Sequence, residues 1–219
     1  MKQTLFITGT DTGVGKTVLT VLLVKFLRAR GVNAAALKPV CSGGRDDARK
    51  IFAAMDGTLA LDEINPWHFR APVAPLLAAR KQNRHVKLSE VLAHASGMQK
   101  RFDVLLIEGA GGLLSPLGEN FDSRDLIRSL RAVPIIVAPN KLGAVNHIRL
   151  TLEALPENLR AKARVVLISQ PKPDVSAKTN ARLLSELSGA TIFSLARLDG
   201  KISPSKNPQV RRTLRGLSD

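Results

Sequence analysis

Apolar residues in this chain fall into short continuous runs that alternate with longer stretches of helical period. The runs are TLFIT at Thr4–Thr8, NAAALKPV at Asn33–Val40, DVLLIEGAGG at Asp103–Gly112, VPIIVAPN at Val133–Asn140 and ARVVLIS at Ala163–Ser169, with a shorter ATIFSL from Ala190. Unbroken apolar runs of this length read as strands buried on both faces. Between them, KTVLTVLLVKFLRARG, DDARKIFAAM, KLSEVLAHASGMQKRF, NHIRLTLEALP and KTNARLLSELSG read as helices. Gly31, Pro156 and Gly189 supply stop signals, and Ser89 lies near the start of the third helix. Asp62 to Pro75 carries Pro66, Pro72 and Pro75 and is expected to be loop. Strand–helix alternation predicts an α/β fold with a mostly parallel central sheet and helices on both faces. No repeat, low-complexity tract or linker divides residues 1–219, so a single domain is expected.

In such sheets ligands bind beyond the carboxyl ends of the strands, and the unusual residues of this chain follow strands. After the first comes GTDTGVGKT, from Gly9 to Thr17. The common phosphate-binding loop places four residues between its first glycine and Gly-Lys-Ser/Thr. Here the glycine is Gly9 and position ten is Thr10, so the loop is one residue longer. Its setting between a strand and a helix supports nucleotide binding by Gly9, Asp11, Thr12, Gly13, Val14, Gly15, Lys16 and Thr17. Backbone N–H groups would surround the phosphates, Lys16 would reach the β- and γ-phosphates, and the Thr17 hydroxyl would bind Mg²⁺. These features predict a P-loop NTPase fold that uses ATP and Mg²⁺.

GTP is not expected. The NKLG after a later strand has Gly143 where a guanine-reading Asp would stand. Nor is a partition-type ATPase, because Asp11 occupies the position of that class's second lysine.

Two more sites follow strands. Lys38 leaves an apolar strand in LKPVCSGG, where packing gives it no role. Glu108 ends the strand in LLIEGAGG, where a carboxylate is costly unless paired or bound to metal. With Thr17 and one further carboxylate it could complete a Mg²⁺ shell of few protein oxygens. Asp47 is the candidate, and spacing leaves Asp46 open.

Composition adds one complication. The formal net charge is +15 and the sequence pI about 10.8, which raises nucleic-acid binding. The basic residues are dispersed, and tyrosine is absent from the chain, so base-stacking interleaving is lacking. Specific nucleic-acid recognition is therefore disfavoured, although a non-enzymatic P-loop switch bound to nucleic acid is a competing reading. Residues 201–219 form a basic C-terminal tail, expected as a frayed or flexible end. MKQTLFITG enters the glycine loop directly, without the long apolar core of a secretory signal. Cys41 is the single cysteine. These features point to the cytoplasm and away from a membrane.

Taken together, GTDTGVGKT, KPVCSG, NPWHFRAPVAP, IEGAGGLLSPLGE and KLGAVNH resemble, in order, the motifs of the dethiobiotin synthetase family. They run from Gly9 to about Thr151. The resemblance implies a carboxylase-cyclase of biotin synthesis: 7,8-diaminopelargonate and CO₂ form a carbamate, ATP phosphorylates it, and the second amine closes the ring. It implies that Lys16 and Lys38 flank the phosphoryl group and the carbamate, that Thr12 and Ser42 hold carbamate or diamine, and that Thr17, Asp47 and Glu108 bind Mg²⁺. Gly111 would contact substrate, and the N–H groups of Gly143, Ala144, Val145 and Asn146 would hold its far carboxylate. In the family that helix start comes from the other subunit, which implies a homodimer. A related ATP-dependent amide-forming ligase is the alternative enzyme.

The chain departs from the family pattern at several positions. Gly13 stands where Glu is common. Val73 and Ala74 precede Pro75, and Leu76 follows it, where Ser and His are usual. Ser169 or Gln170 stands where an Asn reads adenine. LARLDG replaces an Ile-Pro near the final strand.

Overall fold

The computed structural model describes residues 2–196 and 207–218. Six parallel strands form the central sheet: β1 (Gln3–Gly9), β2 (Ala34–Leu37), β5 (Val104–Glu108), β6 (Val133–Asn140), β7 (Arg164–Ser169) and β8 (Thr191–Leu195). Their order is β2-β5-β1-β6-β7-β8. The chain first builds outward from β1 to one side, then from β6 to the other, which opens a crevice at the carboxyl ends around β1. Leu5, Phe6 and Ile7 of β1 and Ile135 to Ala138 of β6 are fully buried. Neighbouring strand residues face opposite sides, so both faces of the sheet are covered.

The helices are α1 (Lys16–Arg28), α2 (Asp46–Ala54), α3 (Leu61–Ile64), α4 (Pro75–Arg80), α5 (Leu88–Arg101), α6 (Ser123–Ser129), α7 (Ala144–Glu153), α8 (Glu157–Arg160), α9 (Asn180–Ser188) and α10 (Pro208–Gly216). The long helices lie where hydrophobic period placed them. α1 buries Leu19, Leu22, Leu23, Phe26 and Leu27, each worth about 1.5–3 kcal/mol when fully removed from water.

Two segments differ from expectation. Asp62–Pro75 is not simply loop. It starts within α3 and continues into β4 (Trp67–Phe69), which pairs in parallel with β3 (Val40–Ser42) to make a second, two-stranded sheet. Pro66 precedes β4 and Pro72 follows it, so neither removes a ladder donor.

The second difference is at the basic C-terminus, where residues 207–218 are not frayed. Asn207 caps α10 by accepting from the N–H groups of Gln209 and Val210. Val210, Leu214 and Leu217 are buried, and Arg164 donates to the Leu217 carbonyl. An amphipathic face decides the matter over local charge. Residues 201–206 of that tail, and most of LARLDG, lie outside the described residues.

Candidate active site

Strand register sets the site. Leu37 of β2 pairs with Ile107 of β5, and Glu108 pairs with Ile7 of β1. The residue after Leu37 is Lys38, so it emerges level with Glu108, two strands from the loop that follows β1. Lys38 Nζ lies 2.7 Å from Glu108 Oε1, 3.1 Å from the Gly109 carbonyl and 3.3 Å from Asp47 Oδ2. Its three N–H bonds thus have three acceptors. Glu108 is 1% exposed and accepts from Thr17 Oγ1 at 2.8 Å and Thr20 Oγ1 at 2.6 Å as well. Burial by itself would lower the Lys38 pKa, but the charges of Glu108 and Asp47 outweigh it and hold it above the ordinary value. Burial likewise pushes Asp47 up, and Lys38 with the Thr17 hydroxyl more than reverses that.

The loop between β1 and α1 reaches the same place from the other side. Gly15 adopts φ 103° as the residue before α1. No side chain caps this helix and no acidic residue occupies its first turn, so its leading N–H groups remain available to an anion. Lys16 is buried and folds back to donate to the Asp11 carbonyl at 2.7 Å. Desolvation, and then the nearby charge of Lys38, pull its pKa down to about 8.

A cleft of about 770 Å³ runs along these groups. Thr12, Gly13, Gly15, Lys16, Thr17, Lys38, Ser42, Asp47 and Gly111 all border it. Ser42 Oγ donates to the Val73 carbonyl at 2.6 Å, tying one wall to the proline-rich segment. Asp46 also borders the cleft, but its side chain is 83% exposed and pairs with Arg49. Geometry therefore favours Asp47 of the two.

Other expected residues lie elsewhere. Ser169 and Gln170 do not border this cleft. Gln170 Nε2 donates to the Ile168 carbonyl, and Ile168 packs against Gly15. Gly143, at φ 87°, precedes α7, and Ala144 to Asn146 form its first turn, also away from the cleft. Asn140 is already committed: it donates to the Ala177 carbonyl and accepts from Asn180.

The sequence reading missed Thr20 and Asn65. A second threonine one turn after Lys16, set among the apolar residues Val18, Leu19, Val21 and Leu22, was the available signal for Thr20. Asn65 heads the NPWHFRAPVAP segment, but its role is not legible there, because its side-chain partners come from a segment 20 to 27 residues away.

One hydroxyl and two carboxylates form a hard-oxygen set suited to Mg²⁺, which takes its remaining ligands from phosphate and water. The ammonium of Lys38 bridges the two carboxylates, so the locus already accommodates a cation. The residues present therefore fit Mg²⁺.

Comparison with known proteins places the chain among relatives of one name. Residues 3–202 match a family profile described as an AAA domain. The chain is 41% identical over 188 residues to the ATP-dependent dethiobiotin synthetase BioD of Anaeromyxobacter dehalogenans strain 2CP-1, covering 84% of each. It is 37% identical to the protein of that name from Akkermansia muciniphila, covering 85% of this chain and 88% of that one. The protein of that name from Bacillus velezensis is 32% identical, with 88% and 85% covered. Among solved structures, hydrogenase maturation factor HypB from Archaeoglobus fulgidus superposes with a TM-score of 0.55 at 16% identity, over 99% of this chain and 89% of that one. That likeness concerns the fold alone.

Proposed function

The chain belongs to the ATP-dependent dethiobiotin synthetase family, and we propose that it converts 7,8-diaminopelargonate, CO₂ and ATP to dethiobiotin, ADP and phosphate. The observation that carries the reading is the convergence of Lys16, Lys38, Thr17, Asp47 and Glu108 at the carboxyl ends of adjacent strands.

The chemistry divides into three steps. One amine of the diamine adds to CO₂ and loses a proton, giving a carbamate. A carbamate oxygen takes the γ-phosphoryl group, releasing ADP. The second amine then attacks the carbamoyl carbon, expels phosphate and closes the ring.

Negative charge develops on phosphoryl and carbamate oxygens, so fixed cations and N–H donors do most of the work. Lys16 and the N–H groups at the start of α1 bind the phosphates. Lys38 faces the carbamate and the transferred group, with its ammonium aimed by Glu108 and the Gly109 carbonyl. Thr12 and Ser42, which border the same cleft, orient the carbamate or the diamine. Thr17, Asp47 and Glu108 would hold Mg²⁺, which would supply neutralisation of phosphate charge.

The start of α7, Gly143 to Asn146, would bind the far carboxylate of a substrate seated in a second copy of the chain. The exposed Leu142 and Leu150 beside that turn are consistent with a homodimer. Ser169 or Gln170 would face the base. Residues 1–219 act as one domain in this reading.

The test is direct. Purified protein with ATP, Mg²⁺, bicarbonate and the diamine should release ADP and form a product with the mass of dethiobiotin. No ADP release above background would overturn the assignment.

A further inference from the structure

Asn65, the residue that ends α3, does not itself border the cleft, and its side-chain partners Lys38, Pro39, Cys41 and Arg45 lie outside the loop of Gly9 to Thr17. It is nevertheless fully buried and saturated with contacts. Its Nδ2 donates to the Lys38 carbonyl at 2.6 Å and lies 3.4 Å from the Pro39 carbonyl. Its Oδ1 accepts from Cys41 Sγ at 3.2 Å and from Arg45 Nε at 3.2 Å. Arg45 Nη2 adds a bond to the Asn65 carbonyl at 3.1 Å, and the Lys38 N–H donates to the neighbouring Ile64 carbonyl at 2.9 Å.

One amide therefore spans the whole stretch from Lys38 to Arg45. Lys38 is the first residue of that stretch. Arg45 is the N-cap of α2, two residues before Asp47. The stretch between contains Gly43 and Gly44, at φ 77° and 119°, and glycine loses more conformational freedom on ordering than any other residue. The β3–β4 pairing and the bond from the Gly43 N–H to the Phe69 carbonyl hold the middle of this path, and Asn65 ties its two ends together.

We propose that Asn65 is a positioning residue for phosphoryl transfer, holding Lys38 and the start of α2 so that the Lys38 ammonium meets Glu108 and Asp47 together. The inference rests on the reading of Lys38 as the cation at the transferred group. It acts on geometry rather than on nucleotide binding, because the phosphate loop belongs to β1 and α1, which Asn65 does not touch.

The experiment is a double-mutant cycle on the full chain. Asn65→Ala should lower kcat by about tenfold to a hundredfold, since misplacement by an ångström costs on that order, and leave KM for ATP within about threefold. In a Lys38→Met background, single-turnover rates should fall less than about twofold further on adding Asn65→Ala, because the group it positions is already gone. A purely structural asparagine would cost the same factor in both backgrounds, and that result overturns the proposal. So does a normal kcat, or a rise in KM for ATP alone.

Asn65→Asp serves as the gentler variant. It keeps the acceptor for Cys41 and Arg45 and turns an oxygen toward the Lys38 carbonyl, so it should show the same kcat loss with a near-normal melting temperature. If neither variant folds, Asn65 is a stability residue and the proposal fails. Wild-type protein in the same assay separates this failure from that of the function: no dethiobiotin from the wild type rejects the assigned reaction, and a fully active Lys38→Met rejects the role of Lys38.

Discussion

Lys38 Nζ and Glu108 Oε1 lie 2.7 Å apart, and both side chains are sealed from solvent although 70 residues separate them in sequence. An ion pair this deep is maintained by its geometry, because each charge would be costly alone. Lys38→Met should therefore destabilise the fold by about 3–5 kcal/mol through the stranded carboxylate. It should also reduce turnover by about a hundredfold or more while sparing ATP affinity. Adding Glu108→Gln should recover part of the melting temperature and none of the turnover. Full activity in Lys38→Met would make it a packing residue.

Lys16 folds over its own loop and donates to the Asp11 carbonyl. Lys16→Ala should remove measurable nucleotide affinity in titration calorimetry while leaving the melting temperature of the free protein unchanged or slightly raised, because a desolvated cation disappears. Unchanged ATP binding would refute the loop assignment.

The depressed pKa of Lys16, about 8, makes a separate prediction. A cation whose pKa falls below its unfolded value of 10.5 costs stability where it is charged, below about 8. That cost disappears as pH rises toward the unfolded value. Triphosphate restores the ammonium, so ATP binding at about pH 8.5 should take up protons and weaken as pH rises further. Calorimetry in two buffers of different ionisation enthalpy measures this, and equal heats in both would contradict it.

Gly13 and Gly15 both have positive φ, at 73° and 103°, yet they should respond differently to alanine. A Cβ at Gly15 would lie 2.5 Å from Ile168 Cδ1, whereas one at Gly13 would meet nothing within 4 Å. Gly13→Ala should cost about 1–2 kcal/mol of backbone strain and retain ATP binding. Gly15→Ala should lose far more stability and displace the loop. Similar melting temperatures for the two variants would show that Ile168 yields.

Much of the frame was legible in the chain. Apolar runs and helical periods are local properties, and they located the six central strands and the long helices. The loop's lysine and threonine were legible for the same reason: a helix start is defined by its own residues. The short α3, α4 and β4 were not. They span three to six residues, too few for a period to register, and β4 exists only because β3 offers it a partner. In the basic terminal segment, the apolar spacing of Val210, Leu214 and Leu217 that α10 buries is less conspicuous in the sequence than its charge.

By itself, the sequence singled out Lys16, Lys38, Thr17 and Glu108, each at or just beyond a strand or helix end that local pattern defines. Tertiary structure decided which of them meet. The pairing of Leu37 with Ile107 brings Lys38 level with Glu108, the turn of α2 selects Asp47 over Asp46, and Asn65 fixes the span between them. Strand register and side-chain direction are relations between distant segments. They are set by burial of the whole sheet, and no local window of the chain contains them.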